Sequence, residues 1–144
     1  MIIVKHNEIK YKCKELVNRI EKDCKNYDLI VCITNWWLIP TYYIAKHLKI
    51  NSVECLNINS YKDTTQWEII DNTVFKKDFS DKRVLLVDDL VDSWETIQYI
   101  LDNYKFKEID IAVLFHKNWS KIEPNYCHTY NIRKEEWIEF SYES

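Results

Sequence analysis

The stretch LLVDDLVDSWET, residues 85–96, places carboxylates and hydroxyls directly after an apolar run. Asp88 and Asp89 end that run, which is typical of a strand buried on both faces. Two adjacent carboxylates repel each other unless a cation or sugar hydroxyls engage them. The pair therefore indicates a site for a hydroxylated sugar and Mg²⁺, a cation that prefers oxygen ligands.

The second half of the same stretch is typical of a helix start. Asp92, Ser93, Glu95 and Thr96 supply acidic and hydroxyl side chains. The helix start adds N–H groups without intrahelical partners and the positive end of the helix dipole, which suit a phosphate. N-capping by Asp92 or Ser93 is the simpler alternative. It accounts for one of these residues, but not for the two carboxylates at the strand end.

A comparable strand, loop and helix pattern occurs in VCITNWWLIP, residues 31–40, where an apolar strand runs into Asn35, Trp36 and Trp37. Loops that hold phosphate on their backbone usually contain glycine, because it has no Cβ to keep the ligand away. This chain has six tryptophans and no glycine in 144 residues, although glycine averages about 7% of residues in proteins.

Composition limits the class of protein. Hydrophobic residues make up 47% and charged residues 30% of the chain, which predicts one globular domain over residues 1–144. The net charge of −3 argues against a broad nucleic-acid-binding surface. The apolar run at residues 1–4 is too short for a signal peptide or a membrane span, so we expect a cytoplasmic protein. Five cysteines without a CxxC pair give little support to a cysteine metal site.

Strands and helices alternate along the chain, which predicts an α/β fold with a mainly parallel sheet. Ligands bind such sheets at the carboxyl ends of the strands, where both loops described above lie. The predicted elements are a helix over 7–25, a strand over 28–33, a helix over 38–48, a strand over 53–58, a polar loop over 60–79 with room for short strands, a strand over 84–87, a helix carrying Ile97, Ile100, Leu101 and Tyr104, a strand over 109–115, and one or two short strands after residue 115.

Four blocks of the sequence resemble one enzyme family. Residues 84–96, VLLVDDLVDSWET, resemble the ribose-phosphate-binding motif of type I phosphoribosyltransferases, in which four hydrophobic and two acidic residues precede a turn of the form D-(S/T)-G-x-T. ITNWWLIP, residues 33–40, is similar to the pyrophosphate loop of the 6-oxopurine members, usually Arg-Gly-Gly-Leu-Ile-Pro. LFHKNWS, residues 114–120, and EEWIEF, residues 135–140, resemble the purine pocket of small xanthine-guanine and hypoxanthine phosphoribosyltransferases.

This resemblance implies a type I phosphoribosyltransferase fold, with a mainly parallel central sheet, flanking helices and a small C-terminal hood. It implies transfer of a 5-phosphoribosyl group from phosphoribosyl pyrophosphate to guanine, xanthine or hypoxanthine, with Mg²⁺ and release of pyrophosphate. We expect a homodimer or homotetramer.

The resemblance also implies roles for residues of the two loops. Asp88 and Asp89 would hold the ribose hydroxyls, Asp89 would help to place Mg²⁺, and Asp92 would act as a general base near the purine N7. Carboxylates beneath the ribose suit a transition state with positive charge on the ring. The other phosphoribosyl pyrophosphate contacts would come from Asn35, Trp36, Trp37, Ser93, Trp94, Glu95 and Thr96.

The purine would lie at the other two blocks. Lys117 would donate to the purine O6, Trp137 would stack on the base, and the Ile138 backbone would meet its exocyclic group. Tyr61 and Lys62 lie where a mobile lid would begin. Taken alone, Lys117 and Trp137 are equally typical of a solvated lysine and an interfacial aromatic residue.

Trp36, Trp37, Trp94 and, less securely, Trp67 fall where the family has glycine. Random drift does not repeatedly place the bulkiest residue in loops that need the smallest. We hypothesise that UGA codons of an AT-rich gene mean glycine in the source and were translated as tryptophan; a tryptophan mass at position 94 in protein from the native host would end that hypothesis. If the tryptophans are real, the indole of Trp94 would crowd the phosphate.

Two other functions compete with purine salvage. A non-catalytic relative that binds nucleotide or phosphoribosyl pyrophosphate as a regulator is favoured by Asn35, which stands where the family has arginine. A response-regulator-like domain fits the acidic pair at Asp88 and Asp89 but does not account for the purine-pocket blocks.

Overall fold

The computed structural model describes residues 1–33, 38–63, 65–74, 78–91 and 94–142, without the side chains of Asp63 and Trp67. The helices and strands of these ranges follow one another in an alternating order. They are β1 (Ile2–Val4), α1 (His6–Lys22), β2 (Leu29–Ile33), α2 (Leu38–Leu48), β3 (Val53–Leu56), β4 (Ile58–Asp63), β5 (Gln66–Asp71), β6 (Phe79–Val91), α3 (Glu95–Asn103), β7 (Phe106–Lys117), β8 (Tyr126–Ile132) and β9 (Ile138–Phe140).

The centre of the fold is a five-stranded parallel sheet in the order β3-β2-β6-β7-β8. The strands predicted from the three longest apolar runs, β2, β6 and β7, are neighbours in it. In register, Val31 of β2 faces Leu86 of β6, and Leu86 faces Ile111 of β7. The predicted fold class is therefore confirmed.

Helices cover both faces of this sheet. In β2, Ile30 packs into the core shared with α1 and α2, whereas Val31 packs into the core shared with α3. Leu85 and Leu86 of β6 alternate in the same way. Because successive strand residues point to opposite faces, strands covered on both sides need unbroken apolar runs. Within the described ranges, no helix is long and apolar enough to cross a membrane.

The segment predicted as a strand to Ile58 and a long polar loop is organised differently. β3 ends at Leu56, and β4 and β5 form an antiparallel hairpin whose base pairs Ile58 with Asp71. Ile58 is buried, and Ile69 packs against the same core cluster. The predicted strand over 53–58 is thus divided at Asn57, and the short strands allowed for in the polar segment are β4 and β5. Their bounds could not be predicted because the two strands are held mainly by pairing with each other, which leaves little apolar periodicity in the sequence.

The predicted hood is not built from the C-terminal segment alone. β1 pairs in parallel with β9, with Ile2 opposite Ile138 and Val4 opposite Phe140. Val4 and Phe140 are both buried in the core cluster beneath α1 and α2. The Phe140 ring also lies 5.8 Å from that of Phe115, which joins the hood to β7.

Three residues of the described chain other than glycine have positive φ: Cys24 at 52°, Lys49 at 56° and Asn131 at 62°. Cys24 and Lys49 follow the C-terminal ends of α1 and α2, where glycine is usual. After α2, the N–H of Ile50 donates to the carbonyl of Ala45 at 3.0 Å, as in a Schellman motif. Asn131 lies where the pairing of β7 and β8 shifts register. The chain thus makes its left-handed turns without glycine.

Candidate active site

Two buried carboxylates lie inside the central strand β6, which continues beyond the predicted range 84–87 and ends at Val91. Asp89 is fully buried and Asp88 is 8% exposed, opposite Val113 of β7. The N–H of Asp89 donates to Oδ1 of Asp88 at 3.0 Å. Burial raises the pKa of the Asp88 carboxyl to about 7, although the hydrogen bond from Asp89 acts in the opposite direction. A cation or hydroxyl donors at this position would stabilise the charged form.

The helix α3 begins at Glu95, after the end of β6 at Val91. Trp94 occupies the N-cap position and makes no side-chain hydrogen bond to the helix. Its carbonyl accepts from the N–H of Gln98 at 2.8 Å. Oε2 of Glu95 is buried and accepts no hydrogen bond within the described part of the chain. The start of α3 therefore offers backbone N–H groups and dipole to an anion, next to the two carboxylates.

The Trp94 indole packs sideways against the loop that follows β7. It meets Trp119 edge to face, with ring centroids 5.5 Å apart. The Lys121 ammonium lies 4.4 Å from the centroid of the Trp94 ring, and the Lys134 ammonium lies 4.6 Å from that of Trp119. Such contacts are favourable for aromatic rings. They give the bulky side chain a packed position beside the helix start.

The backbone at position 94 does not itself demand glycine. Trp94 has φ −84° and ψ −8°, a conformation open to any residue. If the family has glycine here, the reason is close approach of a ligand rather than the turn. The hypothesis that Trp94 is a misread glycine therefore stays a prediction, and its test is the peptide mass.

Lys117 ends β7 at the same edge of the sheet, and only 4% of it is exposed. Its ammonium donates to the carbonyl of Lys134 at 3.2 Å. The next N–H, of Asn118, donates to the carbonyl of Ile132 at 2.8 Å. These bonds hold the end of β7 against the loop that leads from β8 to β9.

Trp137 lies in that loop and is 66% exposed. Its carbonyl accepts from the N–H of Ile2 at 2.7 Å, so β1 fixes its backbone while the indole remains open to solvent. Ile138 begins β9 and is buried. A flat exposed ring on a fixed backbone is suited to stacking on a planar ligand.

Mg²⁺ is compatible with the donors at the end of β6. Among the described residues, no group of three or more His, Cys, Asp or Glu side chains is placed to hold a metal ion. Mg²⁺ commonly binds through one or two carboxylates together with waters and substrate phosphates. Asp88 and Asp89 match that pattern rather than a cage made of protein alone.

Tyr61 and Lys62, predicted to begin a lid, lie within β4 instead. They pair with Glu68 and Trp67 of β5, which places them toward the tip of the hairpin rather than at its base. Tyr61 is 55% exposed. If the hairpin is a lid, its hinge is therefore at the residues that pair at its base.

The predicted site residues fall into three sets. Asp88, Asp89, Trp94, Glu95 and Thr96 lie together on the segment that ends β6 and opens α3. Lys117, Trp137 and Ile138 lie at the end of the neighbouring strand β7 and in the segment bonded to it. The residues predicted for the site but outside the described ranges are Asn35, Trp36, Trp37, Asp92 and Ser93.

Comparison with known proteins identifies the family. The model of the phosphoribosyl transferase domain family matches residues 2–143, nearly the whole chain. This chain belongs to the phosphoribosyl transferase domain family.

Relatives within the phosphoribosyl transferases are distant. A xanthine-guanine phosphoribosyltransferase of Idiomarina loihiensis is 26% identical over 100 residues, which is 67% of this chain and 60% of that protein. The matched part thus spans about three fifths of the length of this curated relative.

Solved structures share the fold over almost the full length. A purine phosphoribosyltransferase from Pyrococcus horikoshii has a TM-score of 0.79 and 25% identity, covering 100% of this chain and 96% of that one. A hypothetical protein from Neisseria gonorrhoeae with bound ppGpp has a TM-score of 0.80 and 20% identity, covering 99% and 89%.

Sequence reasoning missed part of the surroundings of this candidate site. The cation contacts of Lys121 and Lys134 join segments that are remote in the sequence, and no spacing rule signals them. Asp71 was also missed; it accepts hydrogen bonds from Tyr99 and Tyr104 at 3.2 and 2.8 Å. An aspartate near two tyrosines that follow much later in the chain leaves no local signature.

Proposed function

We propose that this chain transfers a 5-phosphoribosyl group from phosphoribosyl pyrophosphate to a nitrogen of a 6-oxopurine, namely guanine, xanthine or hypoxanthine, and releases pyrophosphate. The observation that carries the proposal is the joint position of two features at one edge of the sheet. The Asp88 and Asp89 pair lies near the carboxyl end of β6, and Lys117 ends β7, its neighbour. Membership of the phosphoribosyl transferase family supports the same reaction.

In this proposal the acidic pair binds the sugar. Asp88 and Asp89 accept the ribose hydroxyls, and burial strengthens those hydrogen bonds because competing water is excluded. Their negative charge also stabilises the positive charge that develops on the ribose ring as its bond to pyrophosphate breaks. Mg²⁺, held chiefly by Asp89, would supply charge neutralisation for the pyrophosphate.

In this proposal the start of α3 binds the 5′-phosphate, and Asp92 handles the proton of the purine. Ser93, Trp94, Glu95 and Thr96 surround the 5′-phosphate, whose charge is favoured at a helix N-terminus. Asp92 accepts the proton from the purine, or holds it on N7, as the new bond forms.

The purine would be recognised at the end of β7. Lys117 donates to O6, an acceptor that guanine, xanthine and hypoxanthine share, in place of its present bond to the Lys134 carbonyl. Trp137 stacks on the base from its exposed position, and the Ile138 backbone meets the exocyclic group. These contacts would select 6-oxopurines over adenine, which has an amino donor at that position.

A second candidate is a regulator that binds nucleotide or phosphoribosyl pyrophosphate without turnover. The observation that favours it is the packed Trp94 indole at the helix start, with the Lys121 ammonium above it. An indole there competes for space with a 5′-phosphate in the position that catalysis requires, which would slow turnover.

Pyrophosphate release with guanine, xanthine and hypoxanthine tests both candidates. The chain as printed is compared with a chain carrying Trp36→Gly, Trp37→Gly and Trp94→Gly. Trp119→Gly serves as the control, because the family resemblance itself offers tryptophan at that position. Release by either form that requires a 6-oxopurine supports the transferase. No release by either form, with binding of phosphoribosyl pyrophosphate or ppGpp in calorimetry, would replace it with the regulator.

A further inference from the structure

The base of the β4–β5 hairpin is tied to α3 through one carboxylate. Oδ2 of Asp71, the last residue of β5, accepts from the hydroxyl of Tyr104 at 2.8 Å and from that of Tyr99 at 3.2 Å. Tyr99 lies within α3 and Tyr104 is its C-cap residue. The base of the hairpin, where Ile58 pairs with Asp71, is thus bonded to α3. This helix follows β6, the strand that carries the acidic pair.

The same carboxylate also organises the hairpin itself. Oδ1 of Asp71 accepts from the N–H of Thr73 at 3.0 Å. The Thr73 hydroxyl in turn accepts from the N–H of Asn57, also at 3.0 Å, and the Asn57 carbonyl accepts from Asn72 at 2.8 Å. The segment that enters the hairpin and the segment that leaves it are therefore both hydrogen-bonded into the network around Asp71.

The environment of this junction makes its hydrogen bonds strong. Tyr104 is 7% exposed, and its ring lies 6.1 Å from that of Phe79. Burial, together with the hydrogen bond to Asp71, raises the pKa of the Tyr104 hydroxyl to about 12. The phenol therefore remains a proton donor at any physiological pH, and a hydrogen bond to a charged partner is worth more than a neutral one.

Apolar contacts on the same side hold the hairpin and the helix together. Ile58 and Ile69 of the hairpin pack into the core cluster that contains Ile97 and Ile100 of α3. A rotation of the hairpin about its base would have to move against this contact and against the Asp71 hydrogen bonds together. The hairpin is therefore held to α3 by apolar packing and by hydrogen bonds.

We propose that Asp71 is a positioning residue for the ribose-phosphate site, and that it couples the orientation of the β4–β5 hairpin to α3 through Tyr99 and Tyr104. The inference rests on the proposed function, because it assigns the 5′-phosphate to the start of α3. Phosphate binding that orders α3 then also orders the hairpin, and loss of the tyrosine hydroxyls uncouples the two. Such coupling is a free energy shared between two elements, and it can be measured from either one.

Hydrogen–deuterium exchange of the full chain, followed by mass spectrometry, tests the connection without ligand. Tyr104→Phe and the double variant Tyr99→Phe/Tyr104→Phe keep the rings and remove the hydroxyls. We expect exchange of residues 58–71 to accelerate about tenfold or more, since one hydrogen bond to a charged group is lost for each hydroxyl. The matched control is Tyr126→Phe, which removes a 2.7 Å bond to Asp23 elsewhere in the fold and should leave the hairpin unchanged. Equal exchange of the hairpin in parent and double variant would overturn the proposal.

A second arm adds phosphoribosyl pyrophosphate with Mg²⁺ and separates coupling from plain structural support. In the parent we expect the ligand to slow exchange at the start of α3 and in the hairpin together. In the double variant the start of α3 should still be protected, while protection of the hairpin falls at least severalfold. Undiminished hairpin protection in that variant contradicts the coupling. Absence of protection at both places in the parent would contradict the proposed function instead, and the ligand-free arm would still decide whether Asp71 holds the hairpin.

Discussion

The two ends of the central sheet differ in how their charged side chains are arranged. At the amino end, charges of opposite sign are paired. Arg83 of β6 donates through its guanidinium and its backbone to Asp28, just before β2, at 2.9 to 3.2 Å. Lys25 and Tyr27 both donate to Asp110 of β7, at 2.9 and 2.6 Å.

At the carboxyl end, two acidic side chains are neighbours, and lysines contact aromatic rings. Asp88 and Asp89 are adjacent and buried, and the nearby Lys121 and Lys134 lie over indole rings. Like charges placed side by side oppose folding, whereas the pairs at the amino end do not. This difference agrees with the proposal that the carboxyl end binds a polar ligand.

We expect the greatest loss of turnover from a substitution at Asp92, in the loop at the carboxyl end of the sheet. In a chain that releases pyrophosphate, Asp92→Asn should lower turnover by about 10²–10⁴-fold, because it removes a proton acceptor while keeping the shape. The affinity for phosphoribosyl pyrophosphate should change little. Steady-state rates and calorimetric binding give the two constants, and turnover at the parent rate would remove Asp92 from its role.

Asp89→Asn provides the contrast within the same loop. Asp89 is assigned to ribose and Mg²⁺, so its loss should weaken Mg²⁺-dependent binding of phosphoribosyl pyrophosphate itself. Calorimetry with and without Mg²⁺ measures this. Equal affinities in parent and variant would show that the buried pair does not bind the substrate.

Trp137 tests the purine side with a smaller effect. Stacking of a base on an aromatic ring is worth about 1–3 kcal/mol, so Trp137→Ala should weaken purine binding roughly tenfold or more. Tyr11→Ala is the control, since Tyr11 is 62% exposed and lies on α1, away from the predicted site. If both variants bind guanine as tightly as the parent, the base lies elsewhere.

The amino end can be tested by pH. Hydrogen bonds from Arg83 lower the pKa of the Asp28 carboxyl to about 2, against an ordinary value of 3.8. Its contribution to stability is therefore present above about pH 4 and is lost as the pH falls toward 2. Asp28→Asn should lower the free energy of unfolding at pH 7, and the difference from the parent should shrink between pH 4 and pH 2.

At the other end of the sheet, an Asp→Asn substitution should change the free energy of unfolding in the opposite direction. Asp88→Asn removes one of two adjacent buried carboxylates, so it should raise the stability of the ligand-free protein at pH 7, as is common for residues kept for function. Urea unfolding of both variants at pH 7 measures the two differences. Destabilisation by both variants would mean that the ends do not differ in this respect.

The smallest effect concerns the turn after α2. Lys49 has φ 56°, which glycine adopts at no steric cost. Lys49→Gly should stabilise the fold by about 0.5–1 kcal/mol, whereas Lys46→Gly, inside the helix, should destabilise it by about 1 kcal/mol. Urea unfolding followed by tryptophan fluorescence checks both values. The same sign for both would show that the left-handed turn carries no strain.

Much of the central fold could be predicted because it is written in unbroken apolar runs. β2, β6 and β7 are buried on both faces, and α2 was predicted over the residues that it occupies, Leu38–Leu48. β1 was not predicted, because a strand of three residues contains too few positions for a period to show. The one or two short strands predicted after residue 115 correspond to β8 and β9. The bounds of the hairpin strands could not be predicted, because these strands pair with each other and bury few side chains.

In the candidate site, too, only the features with a local sequence pattern could be predicted. The acidic pair was predictable, since two carboxylates at the end of an apolar run are visible in the sequence, and the structure buries both. The role of Asp71 was not, because its partners Tyr99 and Tyr104 are 28 and 33 residues away. Residues that bind through local loops leave a spacing, whereas residues that position elements leave none.

The pairing of β1 with β9 joins segments that are synthesised at different times. Ile2 precedes the whole central sheet in the chain, whereas its partner Ile138 follows it. The backbone of Trp137, bonded to Ile2, cannot take its final position until that late strand has emerged. The central sheet can thus form while the ring proposed to hold the base still lacks its support, and the half of the site around Trp137 is completed last.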